Sequence, residues 1–169
     1  QRQMCIRDRI ITGHTAKIGK YLYDRFPGAL GMSRSSGWDI NDVDRIVDEA
    51  ANHDVFINNA HGQGFQQTVL MLRLFDAYRS SDKLFINMGT DAAYSSKWSV
   101  VYEQYPVEKS SLHSAVEHLQ NLPHKCRISL IEPNDIRDFD ITHVGNAVQF
   151  IMENPAIEIK NIRFQGRAT

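Results

Sequence analysis

Short apolar runs alternate with amphipathic stretches along the chain. The apolar runs predict β-strands at residues 10–12, 29–32, 54–58, 83–88, 127–131 and 157–164. Between them, apolar residues recur at the spacing of one helical face, which predicts helices at residues 18–25, 41–52, 66–80, 105–119 and 143–153. Strands that alternate with helices in this way are typical of a parallel sheet with right-handed crossovers.

This alternation predicts an α/β fold, namely a single Rossmann-type, doubly wound parallel sheet of about six strands with helices on both faces. The 169 residues are enough for one domain with a sizeable core. No internal repeat, low-complexity tract or Pro/Gly-rich linker divides the chain.

The first nine residues, QRQMCIRDR, fit this pattern poorly. A central parallel strand is apolar on both faces, whereas Arg7, Asp8 and Arg9 crowd the start of the first strand. The segment RQMCIRDR also resembles the translation of an adapter used in sequencing libraries. We therefore expect residues 1–9 to be a non-native leader, as in the conceptual translation of an environmental read, and residues 10–169 to form the domain. A disordered native terminus is the alternative.

Composition and charge narrow the possible functions. The chain is 42% hydrophobic and 23% charged, as in an ordinary soluble protein. A net charge of −1 argues against nucleic-acid binding, and no apolar run approaches the ~20 residues that span a bilayer. Cys5 and Cys126, without a recognisable secretory signal, favour the reducing cytoplasm. The histidines show no metal-ligand spacing with cysteine, so no metal site is expected.

A glycine-containing turn, TGHTAKIG, follows the first strand. Its glycines allow a tight turn and a close backbone approach, and the N–H groups of the following helix would face a pyrophosphate. We expect the turn to bind a dinucleotide through Gly13, His14, Thr15, Lys17, Ile18 and Gly19. Lys17 stands where a middle glycine is usual. An ordinary strand–turn–helix corner is the alternative.

Two further strand ends carry candidate binding residues. An acidic residue after the second strand would bind a ribose 2′-hydroxyl, whereas Ser33 and Arg34 suit a 2′-phosphate. Asp39 and Ile40 could flank an adenine. After the third strand, asparagines can tie neighbouring strands together, and the small Ala60 leaves room for a flat cofactor. A solvated arginine and a plain turn are the respective alternatives.

The strongest signal is Tyr105-Pro-Val-Glu-Lys109. Residues at i and i+4 share one helical face, and a nearby ammonium is expected to lower the tyrosine pKa from its usual value of ~10. Such a tyrosine can exchange a proton with a substrate oxygen near neutral pH. Thr90, at the end of the fourth strand, can hold the same oxygen. Taken alone, the motif could also be a surface pair.

These motifs, in this order, resemble those of the short-chain dehydrogenase/reductase family from Ile10 to Gly166. The turn with Gly13 and Gly19 is similar to the family's TGxxxGxG loop, Asn58-Asn59-Ala60 to the start of its NNAG motif, and Tyr105 with Lys109 to its YxxxK motif. Ile131-Glu132-Pro133-Asn134 resembles the Pro-Gly turn after the next strand, and Phe164-Gln165-Gly166 resembles the glycine-containing end of the last strand.

The resemblance implies roles for these residues. Tyr105 would be the acid/base, Lys109 would bind the nicotinamide ribose and lower the pKa of Tyr105, and Thr90 would orient the substrate carbonyl. Ser33 and Arg34 would select NADP(H), with NAD(H) also possible. The expected cofactor-binding set is completed by Asn59, Ala60, His61, Pro133 and Ile136. Hydride would pass between nicotinamide and a small carbonyl or alcohol substrate. A homodimer or homotetramer is expected by analogy.

The chain also departs from the family pattern. Lys17 and His61 replace glycines, and Asn134 and Asp138 replace the glycine and threonine after the fifth strand. The helix from residue 66 lacks the family's asparagine, for which Gln66 or Gln67 could substitute. One strand–helix unit and the substrate-covering lid are missing, which predicts a site that is open or is completed by another subunit. Its candidate walls, for which packing is the alternative, are His61, Tyr94, Trp98 and Tyr102.

The sequence therefore predicts an NADP(H)-dependent oxidoreductase. The missing lid and asparagine leave open a non-catalytic NAD(P)-binding regulatory or scaffold module. The short stretch before Asn58 leaves open a nucleotide-sugar reductase or epimerase.

Overall fold

The computed structural model describes residues 8–62, 64–94, 104–134 and 140–164. The six strands are β1 (Arg9–Thr12), β2 (Leu30–Met32), β3 (Val55–Asn58), β4 (Leu84–Met88), β5 (Arg127–Glu132) and β6 (Asn161–Arg163). The five helices are α1 (Lys17–Arg25), α2 (Val43–Ala50), α3 (Gln66–Tyr78), α4 (Gln104–Leu119) and α5 (Thr142–Glu153).

The strands form one parallel sheet in the order β2-β1-β3-β4-β5-β6. The predicted fold class is therefore confirmed. The chain leaves β1 towards β2 on one side and returns to pair β3 on the other side of β1. Ligands of doubly wound sheets bind where the strand order reverses in this way, outside the carboxyl ends of the strands.

Successive side chains of a strand point to opposite faces of the sheet. In this sheet both sets of side chains are buried, each in its own core. In β1, Ile10 packs into the core that faces α2, α3 and α4, whereas Ile11 packs into the core that faces α1 and α5. The same alternation separates Phe56 from Ile57 in β3. Helices therefore cover both faces, as the apolar pattern predicted.

The strand start differs from the predicted one. Arg9 pairs with Val55, and the Asp8 carbonyl accepts N–H bonds from Asp54 at 3.0 Å and Val55 at 3.1 Å. The Arg9 guanidinium lies 5.4 Å from the centre of the Phe26 ring, so its charge is at the edge of the core. Two residues of the predicted leader therefore take part in the sheet. The non-native origin of residues 1–9 stays a prediction.

The predicted strand at residues 157–164 is too long, because only Asn161–Arg163 is a strand. Ile157 is 51% exposed, so the apolar residues that suggested a strand there do not all face the sheet. The pattern also missed two 3₁₀ turns, Arg34–Ser36 and Asp91–Ala93, since three residues are too few for a periodicity. None of the helices in the described ranges has the length and apolarity that a membrane crossing requires.

Candidate active site

The turn after β1 is built around Gly13. Gly13 has a φ of +69°, in the left-handed region that favours glycine, and its N–H donates to the Met32 carbonyl at 2.7 Å. A Cβ at this position would lie 3.0 Å from the Ala60 Cα. Gly13 therefore lets the turn after β1 pack directly against the segment that follows β3.

Gly19 makes the same approach possible from α1. A Cβ there would lie 2.8 Å from the Gly13 carbonyl carbon and 2.5 Å from the Asn59 Nδ2 atom. Both distances are too short for a Cβ, and the contact with Gly13 would require a shift of the backbone. The first turn of α1 thus lies on the glycine turn, as the two-glycine pattern predicted.

Lys17 has a backbone conformation of the kind that favours glycine. Its φ is +48°, and among the described residues it is the one non-glycine residue with a positive φ. The side chain is exposed, so its ammonium lies in solvent at the start of α1. This conformation costs a residue with a Cβ about 1 kcal/mol.

The start of α1 is open to an anion. The N-cap residue, Ala16, makes no side-chain cap hydrogen bond, and the first turn contains no acidic residue. The first N–H groups of a helix have no intrahelical partners, and the helix dipole is positive there. These N–H groups can therefore bind a phosphate.

Thr12 and Asn59 join the ends of β1 and β3. The Thr12 Oγ1 atom accepts the N–H groups of Asn59 and Ala60, each at 2.9 Å. The Asn59 amide donates back to the Thr12 carbonyl at 3.0 Å. Hydrogen bonds between residues that are far apart in sequence therefore hold the ends of β1 and β3 together.

The predicted adenosine end lies after β2. Ser33 starts the 3₁₀ turn that contains the exposed Arg34, and the Ser33 and Ser35 hydroxyls are 2.9 Å apart. The His14 ring lies directly over Gly31, where a Cβ would be 2.5 Å from the ring, and its centre is 4.8 Å from that of Tyr23. The buried His14 Nδ1 atom has no hydrogen-bond partner among the described residues.

Asp39 and Ile40 are engaged in local structure. The Asp39 Oδ1 atom accepts from the Asn41 backbone at 2.9 Å, which shapes the turn before α2. Ile40 packs against the core, and its Cγ2 atom would be 2.8 Å from a Cβ on Gly62. Their predicted contact with an adenine stays a prediction.

The Tyr105 and Thr90 side chains are hydrogen-bonded to each other. This contact joins the start of α4 to the end of β4, as the motif spacing predicted. The predicted lowering of the Tyr105 pKa is wrong for this structure. Burial raises the Tyr105 pKa above its usual value, the nearby Asp91 adds to that effect, and the hydrogen bond from Thr90 opposes it.

The position of the Lys109 ammonium explains why its charge does not lower the Tyr105 pKa. The Lys109 Nζ atom lies 5.7 Å from the centre of the Tyr105 ring and donates instead to the Gln67 Oε1 atom at 2.7 Å and the Met88 carbonyl at 3.1 Å. Only 4% of Lys109 is exposed, and burial lowers its pKa to about 8, although Glu108 opposes the change. Its two hydrogen bonds therefore do not fully offset the cost of burying the ammonium.

Gln67 belongs to a buried chain of amides. Its Nε2 atom donates to the Asn58 carbonyl at 2.7 Å and the Met88 carbonyl at 3.1 Å. The Asn58 amide donates to the Asn87 Oδ1 atom at 3.0 Å, which ties β3 to β4 as predicted. Of the two glutamines considered for the missing asparagine, the structure brings Gln67 to Lys109.

Glu108 was not among the predicted site residues. It is 6% exposed and lies beside His61, whose Nε2 atom is 3.2 Å from the Glu108 Oε2 atom. The His61 ring also meets the Tyr105 ring edge-on, with centres 4.8 Å apart. The spacing offered a signal, because Glu108 is three residues after Tyr105 and shares its helical face.

The remaining predicted residues have different outcomes. The Pro133 carbonyl accepts the Asp91 N–H at 3.1 Å, which holds the segment after β4 against the end of β5. The Tyr94 hydroxyl donates to the buried Glu132 at 2.9 Å, so packing, the alternative interpretation, describes it better than a pocket wall. The predicted sites that lie outside the described residues are Ile136, Trp98, Tyr102 and Asp138.

Comparison with solved structures shows that the fold is that of short-chain dehydrogenases. A serine dehydrogenase from Escherichia coli matches with a TM-score of 0.73 and 16% identity, over 92% of this chain and 96% of that one. An alcohol dehydrogenase from the archaeon Thermococcus sibiricus, complexed with 5-hydroxy-NADP, matches with a TM-score of 0.70 and 10% identity, over 96% and 99%.

A short-chain dehydrogenase from Leptospira borgpetersenii with bound NAD⁺ matches with a TM-score of 0.70 and 16% identity, over 95% of this chain and 92% of that one. No protein-family model and no curated protein matches the sequence. The resemblance inferred from the motifs is therefore confirmed at the level of the fold.

Proposed function

We propose that the chain is an NADP(H)-dependent oxidoreductase that interconverts a small carbonyl compound and its alcohol. The observation that carries the proposal is the hydrogen-bonded pair of Thr90 and Tyr105 beside the buried Lys109. These side chains lie at the carboxyl edge of the sheet, to which the glycine turn also belongs. Fold similarity to dehydrogenases supports the same reaction class.

The residues present fit a nicotinamide dinucleotide. The uncapped start of α1, without an acidic residue in its first turn, suits the pyrophosphate, and Arg34 with its neighbouring serines suits a 2′-phosphate. Tyr105 and Lys109 would hold the nicotinamide end. When bound, this cofactor gives or accepts the hydride. Structures with this fold hold 5-hydroxy-NADP and NAD⁺, which supports the assignment.

The side chains divide the remaining work. Thr90 and Tyr105 would hold the substrate oxygen through their hydroxyls, and Tyr105 would give that oxygen a proton in reduction and remove one in oxidation. The positive charge of Lys109 would favour the phenolate once a ligand changes its surroundings. Gln67 holds the Lys109 ammonium through a direct 2.7 Å hydrogen bond.

The proposal is tested by NADPH oxidation with a panel of small aldehydes and ketones. We expect substrate-dependent loss of NADPH, together with binding of NADPH by the free protein. Binding without turnover of any substrate would favour a regulatory or scaffold module, which is the second candidate. A protein that does not bind NADPH or NADH at all would contradict both proposals.

Arg34→Asp is expected to shift cofactor preference from NADPH towards NADH by about 10- to 100-fold, because it replaces a phosphate partner with a hydroxyl acceptor. The measurement is the ratio of the two dissociation constants by titration calorimetry. Arg73→Asp is the control, since it makes the same charge change on α3, where Arg73 pairs with Asp44 at 2.6 Å. An unchanged ratio in Arg34→Asp would show that Arg34 does not contact the 2′-phosphate.

A further inference from the structure

The Glu108 carboxylate is held by three contacts beside the candidate catalytic tyrosine. Its Oε1 atom accepts the Gly64 N–H at 2.8 Å and the Gln104 amide at 2.7 Å. Its Oε2 atom lies 3.2 Å from the His61 Nε2 atom. A carboxylate that is fixed on one oxygen by two donors presents its other oxygen to His61 in one orientation.

His61 packs against Tyr105 and is itself partly exposed to solvent. Its ring meets the Tyr105 ring at an angle of 81°, and 36% of its side chain is exposed. Lys109, the other ionisable neighbour of Tyr105 on α4, is sealed, since its ammonium donates to Gln67 and to the Met88 carbonyl and the residue is 4% exposed. His61 is therefore a titratable neighbour of the Tyr105 ring that reaches water.

The carboxylate favours one tautomer of His61. The Glu108 Oε2 atom, 3.2 Å away, can accept a hydrogen bond from the His61 Nε2 atom, which favours the tautomer with the hydrogen on Nε2 and leaves the Nδ1 atom of the neutral ring as an acceptor. Burial and the nearby Lys109 lower the His61 pKa, and Glu108 opposes them. Asp91 is a further charged group, and it acts on Tyr105. The ring is therefore neutral at neutral pH.

We propose that His61 is a proton-relay residue between Tyr105 and bulk water, and that Glu108 is its positioning residue. The inference rests on the proposed oxidoreductase function. In alcohol oxidation Tyr105 ends with the proton of the alcohol. The phenol O–H bond then breaks, an N–H bond forms at the His61 Nδ1 atom through one water, and the imidazolium releases this proton to solvent. In carbonyl reduction the same proton moves in the opposite direction.

The relay is tested by replacing the ring and supplying it again from solution. We expect His61→Gly to lower kcat about tenfold in weakly buffered solution, with a smaller effect on the cofactor KM. Added imidazole should restore kcat, whereas an equal concentration of sodium chloride should not. Glu158→Gln is the control. Glu158 pairs with His124 at a distance of 3.6 Å, and this pair lies away from the candidate site. A wild-type kcat in His61→Gly at every buffer concentration would overturn the relay.

A second measurement does not depend on turnover. The nitrogen chemical shifts of His61 should show the hydrogen on Nε2 in the wild type and a mixture of tautomers in Glu108→Gln. A hydrogen on Nδ1 in the wild type overturns the proposal. Should Glu108→Gln not fold, the wild-type spectrum and His61→Gly still decide. A further outcome is that the spectrum shows the expected tautomer but the protein turns over no substrate. That outcome overturns both the proposed function and the relay, and supports only the pairing of His61 with Glu108.

Discussion

Replacing Tyr105 with phenylalanine is expected to lower kcat/KM for NADPH-dependent reduction on the order of 10³-fold while the chain stays folded. The phenol is the group that Thr90 contacts, and it lies next to the buried Lys109. Phenylalanine keeps the packing against His61 and removes the hydroxyl group, with its transferable proton and its hydrogen bond with Thr90. Steady-state rates with the substrate found in the aldehyde and ketone panel provide the measurement.

Tyr78→Phe is the matched control. Its hydroxyl donates to the Val47 carbonyl at 2.6 Å, away from the site, so this variant loses a hydrogen bond without losing chemistry. Equal turnover by Tyr105→Phe and the wild type would refute the assigned acid/base. Because burial raises the Tyr105 pKa, the phenol is protonated at neutral pH. The rate of reduction should therefore not change with pH near neutrality through the titration of Tyr105, and the rate of oxidation should rise as the pH becomes alkaline.

Lys109→Met is expected to remove most of the alkaline pH dependence of stability. Burial lowers the folded-state pKa of Lys109 from 10.5 to about 8, so the unfolded chain binds more protons than the folded chain between these values. Stability then rises with pH across this window, by about 3 kcal/mol for the full shift. Methionine has no proton to bind, so the variant should lack this increase. Its activity should also fall, since the ammonium is gone.

The measurement is urea unfolding of both proteins from pH 7 to 10. Lys125→Gln is the control, because Lys125 is a surface residue paired with Asp82 at 3.0 Å, and it should keep the wild-type slope. Above pH 10 the raised Tyr105 pKa acts in the opposite direction, since the folded phenol then binds the extra proton. Parallel curves for Lys109→Met and the wild type would contradict a buried, proton-releasing Lys109.

Much of the fold could be predicted because it depends on local patterns. The alternation of Ile10 and Ile11 between two cores is a direct result of strand geometry. The pairing of Thr90 with Tyr105 followed from motif order, because the end of a strand and the start of the next helix meet at one edge of a sheet. The short β6 could not be predicted, since apolar residues outside the sheet, such as Ile157, look the same in sequence.

The chemistry of the site was harder to predict because it depends on burial and distant contacts. The i, i+4 spacing of Tyr105 and Lys109 does not determine the direction of the Lys109 ammonium. In the structure this ammonium donates to Gln67, which is 42 residues away in sequence. The position of Glu108 was visible on the same helical face. Its contact with Gly64, 44 residues away, needed the folded chain.

The buried amides of Asn58, Gln67 and Asn87 limit how this sequence can change over evolutionary time. They link β3, β4 and α3 to Lys109, and each one serves as donor or acceptor for a neighbour. Loss of one member leaves another without a partner, at about 1–3 kcal/mol for each orphaned group. Single replacements here are therefore selected against. We expect related sequences either to keep all three amides or to replace two of them together with residues that compensate each other.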